Sequence, residues 1–297
     1  MKKKVVIIGG LNMDICGDPE KGSIFRMRDS NRGTVSFTAG GVGRNIAHNL
    51  VYLGFDAKLL SVVGNDVFGS ELLRQCIEAG IDVSGVRVIE GARSSIYLYV
   101  NDAGSDMCVG INDMGIVENI DKEYIKPFLP EINSADAVCL DADPPRAFLK
   151  WIGENVNVPV FADAVSAVKV HNLADTLPYL TGFKPNAMEA LELTGEKTVE
   201  AAAEAIVNAG CKNVFITMGA GGIYCANAKE RIKINPVKTV AVNTTGAGDS
   251  CSAAIIWALL NGRSLREAGM AAAMAGSITI ASEKPSTEKI SEITGMF

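Results

Sequence analysis

A chain of 297 residues with 48% hydrophobic and 21% charged residues has the composition of an ordinary globular domain near the upper size for one core, which excludes disordered, collagen-like and disulfide-stapled miniature classes. Its 28 Lys and Arg against 34 Asp and Glu leave a net charge of −6 and no basic face, so nucleic-acid binding through phosphate neutralisation is not expected. The longest apolar run, Ala253 to Leu260, is far short of the ~18 residues that cross a bilayer, and the apolar stretch after Lys2-Lys3-Lys4 stops too early for a signal peptide.

Strand-like apolar runs alternate with helical patterns along the chain, which predicts an α/β fold with a mainly parallel sheet covered on both faces. The predicted strands are Val5–Ile8, Lys58–Val63, Ala137–Leu140, Val158–Ala162 and Val214–Met218, and the helices between them include Arg44–Leu53, Gly69–Ala79 and Ala187–Leu193. Residues 14–38 and 94–112 break the alternation with β-type patterning. The second reads as an antiparallel hairpin from Ser95 to Ile111 turning through Asn101-Asp102-Ala103-Gly104. Together they predict a small inserted sheet, a lid or an interface, with an edge hairpin of the main sheet as the plainer alternative. Toward the C-terminus, Gly222–Ala228 and Arg231–Asn235 suggest another antiparallel pair. Ala-rich helices follow over 247–260 and 264–282, the second opened by a Ser264/Glu267 capping box. No linker divides residues 1–297, so one domain is expected.

The seven cysteines contain no C-x-x-C pair and their number is odd, which argues for a reducing, cytoplasmic setting. The two histidines, His48 and His171, leave little room for a zinc site, and His48 is expected on the polar side of its helix.

The 30 glycines include the doublets Gly9-Gly10, Gly40-Gly41 and Gly221-Gly222, and others gather in short glycine-rich stretches. In Asn243-Thr244-Thr245-Gly246-Ala247-Gly248-Asp249 they precede an apolar helix, whose free N–H groups and positive dipole end suit an anion. Asp249 then reads either as a general base accepting a hydroxyl proton or as a dipole-stabilising residue contributing about 0.3–1 kcal/mol. There is no Walker A sequence and no G-x-G-x-x-G after the first strand, so a dinucleotide oxidoreductase lacks its fingerprint. Asn186 and Glu189, three residues apart before an apolar run, fit a helix capping box.

Thr244 to Asp249 resembles the C-terminal signature of the ribokinase-like, phosphofructokinase-B family of sugar and nucleoside kinases, and Gly40-Gly41-Val42-Gly43-Arg44-Asn45-Ile46-Ala47 resembles its N-terminal signature. Gly10-Leu11-Asn12-Met13-Asp14, Lys184-Pro185-Asn186-Ala187-Met188-Glu189 and Thr217-Met218-Gly219-Ala220-Gly221-Gly222 agree, so the resemblance spans the chain. It implies an ATP- and Mg²⁺-dependent phosphotransferase with a β-sheet lid that doubles as a homodimer interface. By position, Asp249 is the base and the N–H groups of Gly246, Ala247 and Gly248 form an anion hole. Asn12, Asp14, Gly41 and Asn45 contact acceptor hydroxyls, with Asp143 a lesser candidate. Thr217, Gly219, Gly222 and Asn186 serve the nucleotide, Asn186 and Glu189 act on Mg²⁺, and Ala271–Ala275 help build the adenine pocket. The resemblance also places Gly40 and Gly43 on the sugar side and Gly246 and Gly248 on the nucleotide side. The chain departs from the family at Asn243, where an Asp of the monovalent-cation site is usual, which leaves K⁺ dependence open, and at Cys251, where an aromatic is usual.

Within the family, residues 40–47 and Ile111-Asn112-Asp113-Met114 most resemble pseudouridine kinases, implying phosphorylation of the 5′-hydroxyl with Asn112 or Asp113 meeting the ligand. Read plainly, Asn112-Asp113 closes a hairpin turn. Another sugar or nucleoside kinase (ribose, fructose, adenosine or inosine, a keto-deoxy sugar acid) and a non-catalytic nucleoside-binding protein remain alternatives.

Overall fold

Strands that alternate with helices must be buried on both faces, and the packing shows it residue by residue. The computed structural model describes residues 2–20, 26–102 and 107–297. In chain order the elements are β1 (Lys4–Ile8), β2 (Asn12–Pro19), β3 (Gly33–Gly40), α1 (Val42–Tyr52), β4 (Asp56–Leu60), β5 (Val62–Gly64), α2 (Val67–Glu78), β6 (Arg87–Ile89), β7 (Ser95–Asn101), β8 (Met107–Asp113), α3 (Lys122–Ile125), α4 (Leu129–Ile132), β9 (Ala137–Asp141), α5 (Arg146–Asn155), β10 (Val160–Asp163), β11 (Leu180–Lys184), α6 (Ala187–Thr194), α7 (Val199–Asn208), β12 (Asn213–Thr217), β13 (Ile223–Asn227), β14 (Arg231–Ile234), α8 (Ala247–Leu260) and α9 (Leu265–Ile280). An eight-stranded sheet runs β14-β13-β12-β11-β10-β9-β1-β4, parallel except where β13 and β14 turn back. Along β1, Val5 and Ile7 join a core formed with α1, α8 and α9, while Val6 and Ile8 join the core under α5, α6 and α7.

Helix α8 is apolar all round because it is enclosed, with every residue from Asp249 to Ala258 buried. The capping boxes at Ser264 and at Asn186 both form. His48 departs from the polar-face expectation. It is half-buried beside Tyr52, with ring centroids 4.4 Å apart, and burial pulls its pKa down to about 4.

The segment 58–63, expected as one strand, is broken at Ser61. Its hydroxyl donates to the Gly9 carbonyl at 2.6 Å and its own carbonyl accepts from the Tyr124 hydroxyl at 2.8 Å, so the chain leaves the main sheet. Its continuation, β5, pairs with β6 in a separate two-stranded sheet.

The two β-rich segments form a four-stranded sheet of their own, in order β3-β2-β7-β8, which overturns the edge-hairpin alternative. Of the turn expected at residues 101–104, Ala103 and Gly104 lie outside the described residues. Register alternates two chemistries. Ile15, Val35, Phe37, Leu98, Val100, Val109 and Ile111 share one face, while Asp14, Cys16, Thr38, Tyr97, Tyr99 and Asn112 share the other. Neither Asn112 nor Asp113 closes a turn. Both lie on β8, where Asp113 pairs with Arg93 at 3.1 Å.

Candidate active site

In open parallel sheets, groups carried at the carboxyl ends of the strands meet at one edge. Here β9 ends in Asp141, β10 in Asp163 and β11 in Lys184, all buried. Asp141 accepts backbone N–H bonds from Gly10 at 2.7 Å, Gly43 at 2.9 Å and Asp143 at 3.0 Å, tying the loop after β1 and the start of α1 to β9. A side chain at Gly43 would press on this carboxylate and on Gly9, and one at Gly246 would collide with the Pro285 carbonyl. A side chain at Gly40 would collide with the Asp14 carboxylate. At Gly40, Gly43 and Gly246 the room for a side chain is therefore taken by protein packed on protein.

Asp163 Oδ2 accepts from Lys184 Nζ at 2.8 Å and from Ser252 Oγ at 2.6 Å. Lys184 lies against the start of α8, where a Cβ on Gly248 would stand 2.9 Å from its ammonium. Neither Asp163 nor Lys184 was singled out as a site residue from sequence. Each is an isolated charged residue at the end of an apolar run, and only the sheet brings the two together.

The first turn of α8 carries the Ala247 amide, which donates to the Thr244 carbonyl at 3.4 Å, the Gly248 amide and, one residue on, the Asp249 carboxyl, held by Asn45 Nδ2 at 2.8 Å. Burial and the neighbouring Asp163 carboxylate push the Asp249 pKa up to about 7, against the Lys184 ammonium and the Asn45 hydrogen bond. Asn45 Oδ1 accepts from Arg44 Nη1 at 3.0 Å, so most of this side chain positions protein groups and one N–H is left for a ligand. Asp14, bonded by Asn12 Nδ2 at 2.6 Å, has its pKa raised by burial to about 6.

Two cavities meet at this helix start. The larger, about 1010 Å³, is lined by Asn12, Asp14, Gly41, Asn45, Asn112, Asp143 and Asp249 of the expected acceptor and base residues. It is also lined by Asp18, Tyr97, Tyr99, Asn101 and Lys169, which had not been singled out. The period-2 pattern of β2 and β7 held the signal for the first four. The smaller, about 200 Å³, is mostly apolar and is lined by Thr217, Gly219, Gly222, Ala247, Gly248 and Cys251. From the helix stretch Ala271–Ala275 only Ala273 reaches it, with Gly276, Ser277 and Ile280 beyond. Ala271, Ala272 and Ala275 are fully buried core.

Asn186 and Glu189 line neither cavity and hold each other in the capping box, Glu189 Oε2 accepting from the Asn186 amide at 2.7 Å and Asn186 Oδ1 from the Glu189 amide at 2.9 Å. Among the described residues no group of three or more His, Cys, Asp or Glu is gathered for a metal ion, and all seven cysteines are free. Asn243 Nδ2 donates to the Glu283 carbonyl at 3.0 Å, and its Oδ1 accepts from the Thr245 amide at 2.9 Å. Among the described residues no helix is long and apolar enough to cross a membrane.

Known proteins are similar to this chain in sequence and in fold. The chain is 37% identical over 273 residues to the pseudouridine kinase of Escherichia coli K12, covering 90% of this chain and 87% of that one. It is 27% identical to the guanosine-inosine kinase of Exiguobacterium acetylicum, covering 89% and 90%. Its backbone superimposes on a carbohydrate kinase from Agrobacterium tumefaciens with a TM-score of 0.85 at 25% identity, over 98% of this chain and 96% of that one. The ribokinase of Thermotoga maritima, at 23% identity, shares the fold with a TM-score of 0.87 over 99% of each chain. Residues 2–291 match the pfkB family of carbohydrate kinases, and with a buried carboxyl group following a glycine at a helix start that borders two cavities, the chain belongs to that family and is a phosphotransferase acting on a sugar or nucleoside alcohol.

Proposed function

We propose that the chain transfers the γ-phosphoryl group of ATP to the 5′-hydroxyl of pseudouridine. The observation that carries this is the position of Asp249, which faces the large polar cavity while the preceding residues, Ala247 and Gly248, line the small apolar one. The small cavity suits an adenine ring, and the amides at its floor suit the phosphates. In the large cavity Asn12, Asp14, Gly41 and Asn45 lie beside the base, where ribose hydroxyls bind. Above them Asp18, Asn101 and Asn112, with the Tyr97 and Tyr99 rings 5.5 Å apart, give room and polar partners for a nucleobase that a free sugar would leave unused. The likeness to the E. coli pseudouridine kinase supports the choice of nucleoside.

Asp249 accepts the hydroxyl proton as the hydroxyl oxygen bonds to phosphorus and the bond to the departing ADP oxygen breaks. A carboxyl group with a pKa near 7 is matched to that task at neutral pH. The amides of Gly246, Ala247 and Gly248 hold the phosphoryl oxygens. Mg²⁺ supplies charge neutralisation when bound. Glu189 has one carboxylate oxygen outside its capping bond, which fits an ion that keeps most of its water. At Asn243 an amide already donates to the Glu283 carbonyl, an arrangement that does not fit a monovalent cation bound there, and K⁺ is not required on this reading. The β2-β3-β7-β8 sheet, spanning about 14–38 and 94–112, acts as the lid of a one-domain kinase, and its apolar outer face joins two copies as a homodimer.

ADP release over a panel of pseudouridine, uridine, adenosine, ribose and fructose, with and without Mg²⁺, tests this reading. Pseudouridine is expected to give the highest turnover, and Asp249→Asn to lower it by about 10³-fold or more while the protein stays folded by circular dichroism. A free sugar turned over far faster than pseudouridine would overturn the substrate, and full activity of Asp249→Asn would overturn the base.

A further inference from the structure

The acceptor cavity is unevenly charged. The described residues that line it bring five carboxyl groups, Asp14, Asp18, Asp143, Asp249 and Glu283, against one cationic side chain, Lys169. That cation is already bonded. Lys169 Nζ pairs with Asp143 Oδ1, and Met114 Sδ lies 3.6 Å away. The Asp143 side chain is only 4% exposed, and its second oxygen is packed so closely on Gly10 that a Cβ there would overlap it. The turn that delivers Lys169 is strained, since Val165 holds φ at 62°, a region costly for a β-branched residue, with its amide bonded to Asp163 Oδ1 at 3.0 Å. Two further cations are buried and do not line the cavity: Lys184 pairs with Asp163, and Arg44 donates to two neutral oxygens, the Ala39 carbonyl and Asn45 Oδ1, with its Nε unpartnered.

We propose that Asp143, by neutralising Lys169, makes this cavity select uncharged acceptors and reject those bearing a carboxylate or a phosphate. The inference rests on the cavity being the acceptor site of the proposed kinase. Hydroxyl and ring N–H groups of a neutral nucleoside donate into the carboxyl groups. An anionic acceptor would be desolvated among like charges with no unpaired cation among the described residues lining the cavity, which is specificity by repulsion. Keto-deoxy sugar acids and sugar phosphates are thereby excluded. The phosphorylated product is itself an anion in this cavity, so its rebinding is opposed.

The test compares kcat/KM for a neutral nucleoside with that for its 3′-monophosphate, which keeps the 5′-hydroxyl, at ionic strengths of about 0.01 M and about 1 M, where the Debye length falls from about 30 to about 3 Å. The wild-type protein is expected to prefer the neutral acceptor by about 100-fold at low salt and by clearly less at high salt. Asp143→Asn leaves the Lys169 ammonium unpaired and is expected to narrow the low-salt preference about tenfold, and adding Lys169→Met is expected to restore it. A variant that merely disturbs the site lowers both acceptors together. An unmoved ratio in Asp143→Asn, or a wild-type preference indifferent to salt, would overturn the proposal. If no nucleoside is turned over, the kinase reading of the cavity fails separately, and calorimetric binding of the same two ligands still reads the ratio.

Discussion

Asp249 is a carboxyl group whose surroundings disagree about its charge. Burial, Asp163 and Asp14 favour the protonated form, while Lys184 and Asn45 favour the ionised one, and the balance leaves a pKa of about 7 in place of 3.8. A folded-state value above the unfolded one means that the folded chain holds a proton the unfolded chain has lost. The stability this carries is complete below about pH 4 and disappears as pH rises through about 7. Replacement by Asn removes the charge and keeps an acceptor for Asn45. Asp249→Asn is therefore expected to melt at a higher temperature than the wild type at pH 8 and at a similar one at pH 4, with a ceiling of about 4 kcal/mol at about 1.4 kcal/mol per pH unit. Scanning calorimetry at the two values checks it, and equal differences at both would show that burial does not act on this carboxyl as described. Asp249, Asn45 and Asp14 were legible in the sequence because glycines and element boundaries mark them. Lys169, Asp163 and Lys184 were not, because their meaning comes from partners on other strands.

Among the elements, the start of α6 carries two readings in one motif. The reciprocal bonds between Asn186 and Glu189 show the capping box, and the proposed action on Mg²⁺ must share the same side chains. Asn186→Ala is expected to cost about 1 kcal/mol of stability, and Asn186→Asp, which still caps, to recover it. If Asp restores the melting temperature but alters the Mg²⁺ concentration giving half-maximal rate, the residue acts on the ion as well as on the helix. An unchanged Mg²⁺ dependence in both variants leaves only the cap. Element types were readable wherever hydrophobic period and capping residues agreed, as at Ser264. The split at Ser61 was hidden, because an apolar stretch interrupted by one small polar residue looks the same whether or not its hydrogen bonds stay in one ladder.

Across the whole molecule, the small sheet has to satisfy two environments at once. Its polar face lines the larger cavity, while its opposite face leaves Val35 65%, Phe37 56%, Val109 53% and Ile111 59% exposed, an apolar patch of a kind that marks interaction surfaces. Leu98 stands in the middle of it, opposite Ile15 on one side and Ile111 on the other. Leu98→Asp is expected to convert the proposed homodimer to monomer in light scattering coupled to gel filtration, and a wild-type chain already monomeric at tens of micromolar would remove the dimer from the account. The inserted sheet was legible from two β-patterned segments lying among βα units. That β2 runs parallel to β7, bringing Asp14 beside Tyr97, was not, since a pairing between strands so far apart in sequence is decided by the assembled core.

The start of α8 also works as a mechanical reference. Because Gly248 lines one cavity and Asp249 the other, the proposed donor-side amide and the proposed acceptor-side carboxyl belong to residues joined by a single peptide link. Any rocking or sliding of α8 displaces both by the same amount. Such motion cancels in the gap between them, much as noise common to two wires cancels in their difference, so alignment across the proposed transfer path tolerates a breathing scaffold and leaves only the ligands themselves to be brought into line.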